Sequence, residues 1–133
     1  MHSASKAVII FKEAFFLQLR DKKTNIYYPN KWAFFGGKIK KNESPLNGII
    51  RELDEELSFF PFNLKYIHNC YNLETDTKIY FFLIKLNYLK YFIVSEGQEG
   101  KWIKKKELDK LDLAPDIVFF NKFINRSSLD VFK

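Results

Sequence analysis

The run WAFFGGKIKKNESPLNGIIRELDEELSFF, residues 32–60, sets two adjacent glycines ahead of a segment crowded with acids. Glu52, Asp54, Glu55 and Glu56 lie together, although the 133-residue chain has a formal net charge of +6. Like charges at helical spacing repel and weaken a helix. The cluster is therefore either a solvated face or a place where a counter-ion is expected.

The segment from Ser44 to Leu57 reads as a helix from its own chemistry. Ser44 is suited to cap it, Pro45 fits the first helical position, and Glu43 sits just outside the positive end of the dipole. At about 100° per residue, Glu52, Glu55 and Glu56 share an arc of ~100°. Leu46, Ile49, Ile50, Leu53 and Leu57 gather on the other side, toward a core. Arg51 stands at the edge of the acidic face. Three carboxylates are thus expected to converge on one point beside the glycine pair. Magnesium takes oxygen ligands of this kind and is bound together with substrate phosphates. A surface helix with solvated acids accounts equally well for the acids taken alone.

Around this helix the chain reads mainly as strands. KAVIIFK (6–12) and AFFLQLR (14–20) are apolar, rich in β-branched or aromatic residues and separated by a short polar step, which predicts a hairpin. The polar stretch 21–31, with its Pro, reads as a loop. WAFF reads as a short strand ended by Gly36-Gly37, where the backbone turns or approaches a ligand. Strands are expected at 65–72, 77–88 and 101–105, with a turn near Glu74 to Asp76. Helices are expected at 106–111 and 115–126, the second opened by Pro115. No repeat, linker or domain boundary interrupts the pattern, so residues 1–133 read as one mixed α/β domain.

Composition excludes several classes. Hydrophobic residues at 47% and aromatics at 18% suffice for a buried core and argue against disorder. No apolar run approaches the roughly 18 residues of a membrane span, and the first residues lack the long apolar core of a signal peptide. Cys70 is the only cysteine, so neither a disulfide framework nor a thiolate metal site is expected. A reducing, cytoplasmic location is the corresponding expectation. Lysine plus arginine outnumber the acids 22 to 16, but the lysines are scattered apart from KIKK (38–41) and KWIKKK (101–106). Runs of that length read first as solvated faces; a basic rim also attracts a small polyphosphate.

Read in order, the segment runs Gly37, five residues, Glu43, seven residues, Arg51-Glu52-Leu53, one residue, Glu55-Glu56, one residue, Ser58-Phe59. This resembles the Nudix box, the signature of Nudix hydrolases, except that the family has Gly where this chain has Ser58. EGQEGKW (96–102) is similar to the MutT-type segment that carries a late metal-binding glutamate ahead of a strand, and LAPD (113–116) to the entry of the last helix. The resemblance implies the Nudix fold, a mixed β-sheet sandwiched between helices with a catalytic loop-helix-loop. It also implies Mg²⁺ as cofactor, with Mn²⁺ as a substitute, and a nucleoside diphosphate linked to another group as substrate.

Residue by residue, Glu52, Glu55 and Glu56 match the metal-binding carboxylates, with Glu56 central. Gly36 matches the glycine whose carbonyl reaches the cation, with Gly37 beside it, and Arg51 the arginine that orients the glutamates. Glu43 matches the accessory glutamate ahead of the helix. Glu96 is similar to the late ligand or base, with Glu99 as its competitor. Arg20 is similar in placement to a phosphate-contacting arginine, with a plain surface arginine as the alternative. Trp32, Phe34 and Phe35 are candidates to stack on a base, with a core role as the alternative. Asp116 stands where MutT-type enzymes carry a base-reading Asn, and an ionised carboxylate offers no donor to a base. His2 and His68 have no partners at metal-ligand spacing. Of the two departures, Ser58 ends the helix in a position that favours the left-handed region, and Phe35 replaces a proline common before the glycine pair.

Three functions are compatible with this reading. The first is MutT-type hydrolysis of a nucleoside triphosphate to a monophosphate and pyrophosphate. The second is hydrolysis of a nucleotide sugar or related compound. The third is a Nudix-fold binding module, against which the intact carboxylates argue. The expected partner is a small nucleotide, neither a membrane nor a nucleic acid, for a monomer or homodimer.

Overall fold

The computed structural model describes residues 1–22, 26–95, 99–127 and 130–132. The chain runs β1 (His2–Phe11), β2 (Ala14–Leu19), β3 (Trp32–Ala33), β4 (Phe35–Lys38), α1 (Pro45–Leu57), β5 (Lys65–Asn72), β6 (Thr77–Lys85) and β7 (Glu99–Lys104). A 3₁₀ segment, Lys105–Lys110, leads to α2 (Pro115–Arg126). Among the described residues no helix is long and apolar enough to cross a membrane.

One mixed sheet of seven strands holds the fold together. β1 lies parallel to β6 along most of its length, while the other pairings are antiparallel. The hairpin of β1 and β2 stays paired only at Ile10–Phe15 and Phe11–Ala14, after which the two strands part. Residues 32–38 fill the gap: β3 pairs with β2, then β4 pairs with the first half of β1. This crossing brings the glycine pair against β1.

Period-two alternation along β1 divides the core. Val8 and Ile10 join Phe15, Leu17, Phe34, Phe81, Ile117 and Phe120 on the α2 side. Ala7 and Ile9 join Phe16, Phe35, Ile49, Leu53 and Leu57 on the α1 side. The sheet is thus sandwiched between two helices, as the resemblance implies. The adjacent phenylalanines 34 and 35 serve opposite layers, and Phe35 stacks on Phe16 with ring centroids 5.2 Å apart.

α1 differs from expectation in its roll about its own axis. Its buried residues are Gly48, Ile49, Leu53, Glu56 and Leu57, whereas Leu46 and Ile50 remain 46% and 40% exposed. Gly48 lies on the side that closes: a Cβ there would lie 3.3 Å from Ile39 and from the Glu43 carboxylate, and 3.6 Å from Ser5 Oγ. The bare backbone lets that side of the helix close on the sheet, where Ser5 Oγ donates to the Pro45 carbonyl at 2.7 Å. Glu56 is carried into the buried stripe and Leu46 and Ile50 are carried out of it.

Other boundaries shift modestly. The glycine pair does not end a strand; Gly36 and Gly37 lie within β4, in register with Lys6 and Ser5. β6 stops at Lys85, and the helix expected at 106–111 is a 3₁₀ segment. Ser58 closes α1 in the left-handed conformation, at φ 50° and ψ 45°. A residue with a Cβ is strained there by roughly 1 kcal/mol relative to glycine. Ser58→Gly is expected to stabilise the fold by up to about that amount, read as a higher denaturant midpoint at unchanged slope.

Candidate active site

α1, β4 and the loop between them build one polar cluster. Ser44 caps the helix by accepting from Asn47 N at 3.0 Å, which fixes where the following acids stand. Arg51 is the hub. Its Nε and Nη2 donate to the two oxygens of Glu43 at 2.8 and 3.0 Å. Its Nη1 donates to Glu52 at 2.9 Å and to Glu55 at 3.3 Å, and Nη2 also reaches the Lys38 carbonyl at 3.0 Å. The ion pairs with Glu43 and the nearby acids hold the guanidinium firmly charged, above its ordinary pKa.

Glu43 shows the other side of this bond. The Arg51 guanidinium, helped by the Lys40 N–H, lowers its carboxyl from 4.5 to about 2. The pair therefore contributes stability that is fully present above about pH 4.5 and is lost as the pH falls through about 2. Thermal unfolding of wild type between those limits is expected to weaken with acid more steeply than that of Glu43→Gln. Parallel curves would remove the ion pair from the account.

The glycines let the carboxylates reach the strand. Glu56, only 4% exposed, accepts from Gly36 N at 2.9 Å. A Cβ on Gly37 would stand 2.6 Å from Glu52 Oε1, so the absence of a side chain there makes room for that carboxylate. Arg51, Glu52, Glu56, Gly36 and Gly37 are thus gathered in one place, with Glu43 and Glu55 held through Arg51. Convergence on a single point is where expectation and structure part. Among the described residues no three acidic, histidine or cysteine side chains are grouped to hold a metal ion. Arg51 draws Glu43, Glu52 and Glu55 toward itself, while Glu56 turns to the strand. The donors are nonetheless carboxylate and carbonyl oxygens, the chemistry a hard divalent cation takes, and Gly37 keeps the cradle open. Glu96 lies outside the described residues; Glu99 is exposed on β7, paired with Leu19.

A cavity of about 310 Å³ adjoins the cluster, and Gly36, Gly37 and Lys38 belong to its wall. Arg20 and Asp116 line it as well. Arg20 Nε donates to the Tyr27 carbonyl at 3.0 Å, tying the loop after β2 to the cavity. Asp116, buried in the first turn of α2, accepts from Phe34 N at 3.1 Å and from Ile117 N at 2.8 Å. Burial raises its pKa, against the opposing pull of Lys6, these two N–H groups and Arg20.

Phe34 requires a correction. Its ring is fully buried against Phe15, Phe81 and Phe120, so it is unavailable to stack on a base. Trp32 and Phe35 are buried too. The cavity wall carries Tyr27 and Tyr28, and the Tyr28 hydroxyl accepts from Asn72 at 3.0 Å. Sequence reading placed both tyrosines in a loop and passed over them. It also passed over Lys6, which as the first residue of the expected strand 6–12 gave no sign of being buried; β1 begins earlier, at His2, and places Lys6 in its middle.

Comparison with known proteins gives this arrangement its relatives. The sequence profile of the NUDIX domain matches residues 1–121. An 8-oxo-dGTP diphosphatase of Haemophilus influenzae is 32% identical over 84 residues, covering 62% of this chain and 61% of that protein. The alignment thus spans less than two thirds of that relative's length. An 8-oxo-dGTP diphosphatase of Buchnera aphidicola is 31% identical over 96 residues, 72% of each chain. In structure, a MutT from a study of the Aliivibrio salmonicida and Vibrio cholerae proteins superposes with a TM-score of 0.72 at 19% identity. It covers 95% of this chain and 97% of its own.

Proposed function

Because this chain belongs to the Nudix family, its domain profile matching residues 1–121, we propose that it hydrolyses a diphosphate linkage in a nucleoside triphosphate. The reaction adds water to one phosphorus and releases a nucleoside monophosphate and pyrophosphate. The observation that carries this reading is the shared wall: Gly36 and Gly37 touch the glutamates of α1 on one side and line the 310 Å³ cavity on the other. A nucleoside in the cavity would have its phosphates led toward the acids. The curated relatives named 8-oxo-dGTP diphosphatases support a triphosphate over other linked groups.

A bound divalent cation, magnesium or manganese, supplies neutralisation of the phosphate charge and lowers the pKa of attacking water. Glu52, Glu55, Glu56 and the Gly36 carbonyl would hold it, with Glu96 as the late-loop candidate. Arg51 and Glu43 act by position, since the bidentate pair fixes the guanidinium that spaces Glu52 and Glu55. Arg20 adds a cation for the anionic substrate, and Tyr27, 65% exposed at the cavity edge, offers a face to a base.

The test is a panel of purine and pyrimidine triphosphates, the oxidised guanine triphosphate, a nucleotide sugar and ADP-ribose, each with Mg²⁺. Turnover of triphosphates is expected. Turnover of the sugar and ADP-ribose alone would move the protein to the second class of substrate. Binding without turnover would make it a module of the same fold.

A further inference from the structure

We infer that the face formed by residues 57–64 and 86–95 docks this protein on the anionic surface of a lipid bilayer. The expectation of no membrane partner rested on the lack of a spanning segment, which bears on crossing a bilayer and not on resting against one.

The two segments lie side by side. The Glu56 carbonyl accepts from Ser95 N at 2.9 Å, the Phe59 and Phe92 rings stand 4.9 Å apart, and Asn63 donates to the Lys85 carbonyl. One segment therefore runs antiparallel along the other. Phe59, Leu64, Leu86, Phe92 and Val94 turn inward and pack on the α1 layer of the core. The Trp102 indole N–H donates to the Lys90 carbonyl at 2.7 Å and ties the middle of the second segment to β7.

The outward side chains are unusual for a surface. Phe60, Phe62, Tyr88, Leu89, Tyr91 and Ile93 are exposed. Tyr91, Ile93 and Phe62 reach 80%, 89% and 107%, as open to solvent as in an unfolded chain. Single exposed apolar residues are ordinary, but a contiguous group of them marks a contact surface. Charge on this face has one sign. Residues 57–73 and 77–95 contain four lysines and no Asp or Glu. Lys90 holds its ammonium over the Phe59 and Phe92 rings, 5.8 and 5.4 Å from their centroids. Past Leu89 the surface continues into a groove lined by Lys12, Lys104, Lys105 and Lys106, beside Glu13, Asp109 and Asp130.

These properties select the occupant. A second copy joined about a two-fold axis would set an acid-free face against itself, lysine toward lysine. An amphipathic peptide helix lies in a groove, whereas side chains this open project from the surface. Leu89 and Ile93 have no π-face on which a nucleic-acid base stacks. A bilayer needs no matching shape: the projecting side chains enter the headgroup boundary, and the lysines meet anionic lipid. Thr77, on the cavity wall, and Lys85, beside this face, are the two ends of β6, roughly 25 Å apart. A docked molecule therefore keeps its cavity open to solution.

Co-sedimentation of the full chain with phosphatidylcholine vesicles, with and without phosphatidylglycerol, tests this. Binding to the anionic vesicles is expected to be at least ~10-fold tighter than to the neutral ones. Phe62→Ser with Ile93→Ser, both at exposed positions, should weaken it by ~10-fold or more. Lys90→Gln with Lys104→Gln should weaken it by about 10-fold. Lys122→Gln with Arg126→Gln removes the same charge from exposed positions on α2, across the sheet, and should change it by less than about threefold. Circular dichroism establishes that each variant is folded. Absence of binding, equal binding to both kinds of vesicle, or equal loss in the two charge variants would overturn the inference. So would wild-type binding by the serine variant. Capture of polyuridylate in place of vesicles, lost in the serine variant, would give the face to nucleic acid and overturn the inference as well.

Discussion

Glu56→Gln is expected to lower Mg²⁺-dependent turnover by about 10²–10⁴-fold with the fold preserved. The amide keeps the volume and an oxygen to accept from Gly36 N, the bond now made at 2.9 Å. It loses the charge that a hard cation requires. Because Glu56 is 4% exposed, its carboxylate meets bulk water sparingly, and its charge is the more consequential to a bound cation. Glu55→Gln should follow in the same direction. Asp54→Asn is the internal control: Asp54 belongs to the acidic run but is exposed, away from the buried stripe of α1. Steady-state rates for the three variants, with circular dichroism to establish folding, decide the point. Unimpaired rates in both glutamate variants would remove the α1 carboxylates from the chemistry.

Gly36→Ala should cost the fold about 3 kcal/mol or more, lowering Tm by about 10 °C. Gly36 has φ +135°, and a Cβ there would stand 2.0 Å from the Ser5 carbonyl oxygen. That neighbour is backbone in the paired strand, so no rotamer change relieves the overlap; β4 would have to move away from β1. Gly37→Ala provides the contrast. Its Cβ would meet the end of the Glu52 side chain, which can swing away. The Gly37 variant should therefore stay folded and lose activity, while the Gly36 variant loses stability first. Thermal unfolding of both, beside their rates, separates the two glycines. Equal Tm values would show that the close approach at Gly36 is not built as described.

Local chemistry made part of this molecule legible in advance. The strand 65–72 and the helix 115–126 were expected with the same bounds that β5 and α2 have. Each is marked within its own residues, by β-forming composition in one case and by Pro115 in the other. Ser44 and Pro45 did the same for α1. What escaped depends on contacts between distant segments. The roll of α1 shows in the burial of Gly48 and Glu56 and the exposure of Leu46 and Ile50, and the helix's own apolar pattern gives no sign of it. The strand character of Gly36 and Gly37 follows from the parting of β1 and β2, which leaves an edge for β4. Whether Phe34 stacks on a base or packs in the core is a choice that periodicity in a four-residue run does not decide. Lys6 gains an ion partner only when α2 brings Asp116 to within 3.7 Å of it. The residues of the box lie side by side, and Arg51 draws Glu43, Glu52 and Glu55 into its own hydrogen bonds, which their order in the chain does not reveal.

What is released from a nucleoside triphosphate, with and without a divalent cation, tests the proposed hydrolysis most directly. With Mg²⁺, nucleoside monophosphate and pyrophosphate should appear in equal amounts, and a chelator should abolish both. Release of orthophosphate as the first product, or a rate indifferent to the chelator, would contradict it.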